Sequence, residues 1–422
     1  MRKPKVLVIA EAANPEWVSV PLIGWSLSQA LAEVADVHLV TQIRNREAIL
    51  RTGLREGVDF TAIDSEAVAR PMWKLAEKLR MGEGRGWTVI SAISTLIYPH
   101  FERLVWRQFG PAIRAGEYDL VHRITPLSPT TPSRLATWCK RAGVPFVLGP
   151  LNGGVPWPAG FDGARRQERE WLSYVRGFYK VLPGRGRTLR DAAAIIVASR
   201  HTESEIPARY GAKRHYIPEN AIDPARFSLQ ARPGEGPLRA CFIGRMVPYK
   251  GPDMLIEAAA PLLRDGRMVL DMIGDGPLLP ELRELAQALG VANAVQFHGW
   301  LSHDKVQHVA ARSALFAFPS IREFGGGAVL EAMALGLAPL IVDYAGPGEL
   351  VAEGLGYKVA LGNRAEIIKR FAKALESLER DREGLAATGQ RARAHVLEHF
   401  TWSAKARQIA AIYAQVLHAT PP

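Results

Sequence analysis

Two carboxylates, Glu323 and Glu331, stand eight positions apart on either side of three consecutive glycines, Gly325 to Gly327. The surrounding stretch, Ala317 to Glu349, reads AFPSIREFGGGAVLEAMALGLAPLIVDYAGPGE. A glycine-rich turn at a helix start leaves backbone N–H groups unpaired and lets a ligand approach closely, and the helix dipole there favours negative charge. The chemistry this layout invites is the binding of an anion such as phosphate. The plainer alternative is a tight strand-to-helix turn with both glutamates solvated.

The elements that must position these residues can be read around them. A strand is expected over Ser313 to Pro319 and a helix from about Gly326 to Leu335, where Ala328, Leu330, Ala332, Met333 and Ala334 are good helix formers. Upstream, strand and helix signals alternate as in a doubly wound parallel sheet. The expected strands are Lys5 to Ala10, Val37 to Thr41, Val58 to Ile63, Leu120 to Ile124, Pro145 to Gly149 and Ile195 to Ser199. Ligands of open parallel sheets sit beyond the carboxyl ends of strands, which directs His122 towards a crevice, with a satisfied structural histidine as the alternative. The Gly- and Pro-dense loop Gly149 to Pro158 is expected to line that crevice on the acceptor side through Asn152 and Trp157. Arg70 to Phe109 and Arg165 to Leu189 read as helical elements at its mouth; an apolar stripe through Ile90, Ile93, Ile97 and Leu104 fits a core contact or a membrane anchor. Three helices close the chain, at Arg364 to Leu378, Arg382 to His399 and Trp402 to His418.

The segment EFGGGAVLE resembles the E-x7-E donor site of the retaining glycosyltransferases of family 4, with Phe and Gly exchanged relative to the usual EGFGLVxLE. Gly244, Arg245, Lys250 and Gly251 match that family's G-R-x4-K-G pattern, HYIPENAIDPARF is similar to its IPNGVDxxxF, and GPGELV is similar to its GGxxE turn. The Gly-Gly pair that family members often carry after the first strand is absent. The resemblance implies a GT-B fold: two Rossmann-like α/β domains facing across a cleft, here 1–228 and 238–400, with a final helix over 401–422 crossing back to the first. It implies that Glu323 lies near the donor sugar, that Phe324 and Gly325 to Gly327 face the diphosphate, and that Glu331 holds ribose hydroxyls. It assigns Gly244, Arg245 and Lys250 to the diphosphate, Gly274 to a nearby turn, Gly299 and Leu301 to the neighbourhood of the nucleobase, and His122 to the donor sugar from the other domain. Arg245 and Lys250 suit the chemistry, because fixed cations stabilise the charge that appears on a departing phosphate.

With 422 residues, 48% of them hydrophobic, the chain can bury a large core. Its two cysteines, Cys139 and Cys241, have no metal-ligand spacing, and no apolar run reaches membrane-spanning length, so a cytoplasmic protein is expected. The net charge of +11 is concentrated between Arg70 and Arg190, with 20 Lys or Arg against 8 Asp or Glu, interleaved with Trp73, Trp87, Trp106, Trp171, Tyr174, Phe178 and Tyr179. That mixture suits an anionic membrane surface or an acidic glycan or lipid phosphate better than nucleic acid, the alternative being a solvated face. The expected function is transfer of a sugar from a nucleoside diphosphate sugar to a saccharide or lipid-linked acceptor, with no metal or other cofactor. An epimerase or hydrolase of the same fold and a non-catalytic sugar-nucleotide-binding partner are the alternatives.

Overall fold

The computed structural model describes residues 2–68, 70, 87–158, 160–161, 163 and 184–419, with the side chains of 87–96 and of His303 left aside. The expected helical stretches Arg70 to Phe109 and Arg165 to Leu189 lie partly outside these residues, and Trp73, Trp171, Tyr174, Phe178 and Tyr179 wholly so. The chain forms two compact units. The first comprises Met1–Gly154, Glu168–Glu219 and Trp402–Pro422, and the second Val155–Gln167 and Asn220–Thr401. The boundary therefore falls at Glu219 rather than at 228, and part of the loop expected on the first domain belongs to the second.

In the first unit seven parallel strands, β1 (Lys5–Ala10), β2 (Asp36–Gln42), β3 (Phe60–Ile63), β4 (Leu120–Thr125), β5 (Phe146–Leu151), β6 (Ala194–Val197) and β7 (Arg214–Tyr216), lie in the order β3-β2-β1-β4-β5-β6-β7. In the second, six parallel strands, β8 (Leu238–Ile243), β9 (Met268–Ile273), β10 (Val295–Gly299), β11 (Leu315–Phe318), β12 (Ala338–Asp343) and β13 (Tyr357–Ala360), lie in the order β10-β9-β8-β11-β12-β13. Every residue of β4, β5, β6 and β11 is buried, as helices covering both faces require. Both sheets reverse direction of winding beside their first strand, between β1 and β4 and between β8 and β11. Such switch points open a crevice at the carboxyl ends of the two strands.

The helix Trp87–Arg114 runs on through Pro99 and Pro111; Phe101, Val105 and Ile113 sit in the first unit's core, Ile97 is buried, and Leu104 packs partly buried against that core. Its described apolar residues thus take the core reading of the stripe. Among the described residues no helix is long and apolar enough to cross a membrane. The helix Trp402–Ala419 packs Ala406, Ile409, Ile412, Tyr413 and Val416 into the cluster that holds Val6, Val8, Leu27 and Leu31.

Candidate functional site

The sites expected on β8 and on the glycine turn meet at the switch point of the second sheet. Beyond β8 the chain passes Gly244 and Arg245 into a short 3-10 turn, Pro248–Lys250, and starts the helix Pro252–Arg264 with a proline in its first turn. Lys250 turns back over the Phe318 ring at 5.3 Å and donates from Nζ to Glu323 Oε2 at 2.7 Å. These partners are 73 residues apart in sequence, so the pair welds the turn after β8 to the turn after β11. Burial pushes the Lys250 ammonium towards the neutral form, but the Glu323 carboxylate and Tyr249 outweigh it and hold its pKa above the usual value. Arg245 is exposed, and its guanidinium makes no hydrogen bond or ion pair among the described residues.

Gly326 adopts φ +60° and caps the helix Gly327–Leu335, a left-handed conformation that a residue with a side chain would resist. A Cβ there would come within 2.6 Å of Leu350. No side chain caps this helix, and its first turn carries no acid. Its leading N–H groups therefore point to a ligand position without competition. The neighbouring turn packs directly on this one: Gly346 N–H donates to the Glu323 carbonyl at 3.1 Å. Glu331 lies one turn into the helix, partly buried. Burial raises its pKa from 4.5 to about 7, against the pull of Lys250 and Arg226 and with a further push from Glu323.

Gly274 closes the floor. Its N–H donates to the Gly299 carbonyl at 2.9 Å, and at φ +132° a Cβ would lie 1.9 Å from the Gly244 carbonyl oxygen. The ends of β8, β9 and β10 can converge only because this position lacks a side chain. Leu301 packs against the core, and between it and Gly299 stands Trp300, 75% exposed. Among the described residues no three His, Cys, Asp or Glu side chains gather as a metal site would need.

Two expectations need correction, and a third residue takes an unexpected place. His122 does not look into a crevice. It is fully buried, its Nε2–H donates to the Gly149 carbonyl at 2.7 Å and its Nδ1 accepts from the Tyr413 hydroxyl at 2.6 Å. Burial lowers its pKa to about 4, so it stays neutral as a satisfied core histidine. Asn152 is buried too, donating to Glu219 Oε1 at 2.6 Å and accepting from Gly154 N–H at 2.9 Å, so it is not displayed on the loop surface. Trp157 belongs to the second unit, where its ring lies 4.8 Å from the Arg322 guanidinium and edge-on to Tyr249 at 6.1 Å. Arg322 is not among the expected site residues, although it immediately precedes Glu323; Trp300 falls within the stretch Gly299 to Leu301 expected near the nucleobase.

Comparison with known proteins gives the same picture. Residues 227–395, which lie in the second unit, match the family model described as Glycosyl transferases group 1. The GDP-mannose-dependent alpha-(1-6)-phosphatidylinositol monomannoside mannosyltransferase of Mycolicibacterium smegmatis is 29% identical over 368 residues, covering 81% of this chain and 88% of that protein. The D-inositol 3-phosphate glycosyltransferase of Gordonia bronchialis is 34% identical over 237 residues, 50% of each, so the chain spans about half the length of that relative. Among solved structures, Anabaena Alr3699/HepE in complex with UDP superposes with a TM-score of 0.62 at 16% identity, over 97% of this chain and 100% of that one. Sucrose-phosphate synthase from Thermosynechococcus elongatus gives 0.61 at 17% identity, over 99% and 100%. The fold is that of the GT-B glycosyltransferases, two Rossmann-like parallel-sheet units.

Proposed function

We propose that this chain, whose residues 227–395 match the Glycosyl transferases group 1 model, moves a sugar from a nucleoside diphosphate sugar to an acceptor hydroxyl with retention of anomeric configuration. The observation that carries the reading is the Lys250–Glu323 pair at the uncapped start of the helix Gly327–Leu335. A diphosphate seated on that helix start meets free N–H groups, Lys250 and the exposed Arg245. As the bond from the sugar's anomeric carbon to the β-phosphate oxygen breaks, negative charge grows on that oxygen, where both cations stabilise it more than they do the ground state. The acceptor oxygen bonds to the anomeric carbon and its proton passes to the departing phosphate, so no protein nucleophile is required. Glu331, one helical turn deeper, takes the ribose hydroxyls, and Glu323 stands on the sugar side.

Arg245 and Lys250 supply the charge that a divalent ion would otherwise supply, and the activity is proposed to be metal-independent. Full activity in excess chelator is the expected result, and its abolition counts against the idea. A lipid-linked or cell-envelope saccharide is proposed as acceptor. Two facts support this: a relative acts on phosphatidylinositol monomannoside, by its name, and the basic excess lies between Arg70 and Arg190. Peripheral attachment to an anionic membrane follows, and sedimentation with anionic vesicles at low but not high salt tests it.

Thermal shift against UDP, GDP, ADP, TDP and their sugar conjugates, on wild type and Glu331→Ala, tests the donor site. A ligand at about 100 times its Kd adds roughly 2.7 kcal/mol to apparent stability. One nucleotide family should stabilise the wild type, and the variant should lose most of that response. Release of free sugar without any acceptor would point instead to a hydrolase.

A further inference from the structure

The loop after β5 leaves the first unit and docks beside the donor residues. Gly154 counts with the first unit and Val155 with the second, where Phe161 joins the core. The Val155 carbonyl accepts from Arg322 Nε at 3.4 Å, and the Pro156 carbonyl accepts from the Tyr344 hydroxyl at 2.9 Å. Trp157 covers Arg322 on one side, and the Phe324 ring lies 4.9 Å from the same guanidinium. Arg322 is only 5% exposed and thus clamped between two rings. Three residues this segment touches lie beside proposed donor residues in the chain: Tyr249 precedes Lys250, Arg322 precedes Glu323, and Tyr344 lies two before Gly346, whose N–H holds the Glu323 carbonyl.

We propose that Val155–Trp157 is a strap that sets the geometry of the Lys250–Glu323 pair, with Trp157 a positioning residue acting through Tyr249 and Arg322. The two halves of the ion pair sit on separate turns, and Trp157 touches a neighbour of each. It adds a side-chain clamp to the backbone tie from Ile321 N–H to the Tyr249 carbonyl at 2.9 Å. Without it the backbone tie alone holds the two turns together, and the charge pair loosens. The effect on catalysis rests on the function proposed above; the effect on the ion pair does not.

The test therefore has two arms. In the first, brief acetylation by an activated ester is read by mass spectrometry at Lys250, with exposed Lys369 as internal control. Loosening the pair lowers the Lys250 pKa and frees more amine, so Trp157→Ala should acetylate Lys250 about fivefold faster, while Lys369 is unchanged. Trp157→Phe, which keeps a ring over Arg322, should stay near wild type. Tyr344→Phe, which deletes one hydroxyl and spares the fold, should raise the rate about twofold and carries the test if Trp157→Ala does not fold. In the second arm, kcat of Trp157→Ala should fall about tenfold, the size of one partly desolvated cation–π contact plus an aromatic pair, with nucleoside diphosphate affinity held within about twofold. Wild-type Lys250 labelling in folded Trp157→Ala and in Tyr344→Phe overturns the strap. Altered labelling in a protein that transfers no sugar sustains the strap and sinks the transferase reading instead.

Discussion

Glu331 carries the sharpest consequence at the scale of one residue. Its pKa in the folded protein, about 7 against an ordinary 4.5, is raised chiefly by burial. In the free protein, then, the stability tied to this group is fully present below 4.5 and is lost as pH rises through about 7. Ligand binding runs the other way. A ribose hydroxyl donates to the ionised carboxylate, so donor affinity should strengthen between pH 6 and 8 and level off above. Titration calorimetry across that range should show the dependence in wild type and a flat, weaker profile in Glu331→Gln; a pH-independent wild type would remove Glu331 from the donor site. His122 follows from the same physics with a different result. In β4 the neighbours on the same face, Leu120 and Ile124, are apolar, so the sequence LVHRIT places the imidazole inside a sheet covered on both sides, yet its partners, the Gly149 carbonyl and the Tyr413 hydroxyl, 27 and 291 positions away, decide that it is satisfied there. Tyr413→Phe leaves Nδ1 unpaired and should cost about 1–3 kcal/mol of first-unit stability without changing donor affinity, measured by urea unfolding and nucleotide titration.

At the scale of elements, the turns explain which glycines matter. Gly274 and Gly290 both have positive φ, +132° and +71°, but only Gly274 is crowded, with backbone oxygen where a Cβ would stand; around Gly290 there is open space. Gly274→Ala must push β8 and β9 apart and should lower second-unit stability by about 3 kcal/mol or more, whereas Gly290→Ala bears backbone strain alone, roughly 1 kcal/mol. Equal urea midpoints for the two variants would show that conformation, not close approach, governs the turn. Element positions are legible in short apolar runs: β1, β4 and the helix Gly327–Leu335 fall within a residue of their expected bounds, and β11 starts two residues later than expected. The polar edge strand β7, Arg-His-Tyr, has no such pattern and was not foreseen. The turns proposed to hold the donor are legible as turns because each is built from adjacent residues; the burial of Asn152 and the docking of Trp157 are not, because their partners Glu219, Tyr249 and Arg322 lie 67 to 165 positions away and nothing local specifies them.

For the molecule as a whole, the chain's return to its first unit sets how the two units depend on each other. The core of the second unit uses no residue beyond Phe400. The core of the first includes Ile409, Ile412, Tyr413 and Val416 from the helix Trp402–Ala419, and Lys405 in that helix donates to the Pro218 carbonyl. Four large side chains at roughly 1.5–3 kcal/mol each approach the 5–15 kcal/mol that a whole domain has to spare. Their loss would also leave Nδ1 of His122 without its hydroxyl partner. A chain ending at Thr401 should therefore lose the first unit's calorimetric transition while the second unit unfolds near its own temperature. That unit holds Lys250, Glu323, Glu331 and the strap Val155–Trp157, so nucleoside diphosphate should still raise its midpoint even though transfer to an acceptor is gone. Disappearance of both transitions together would mean that the second unit cannot hold its fold without an intact first one, and that the donor site depends on residues of both.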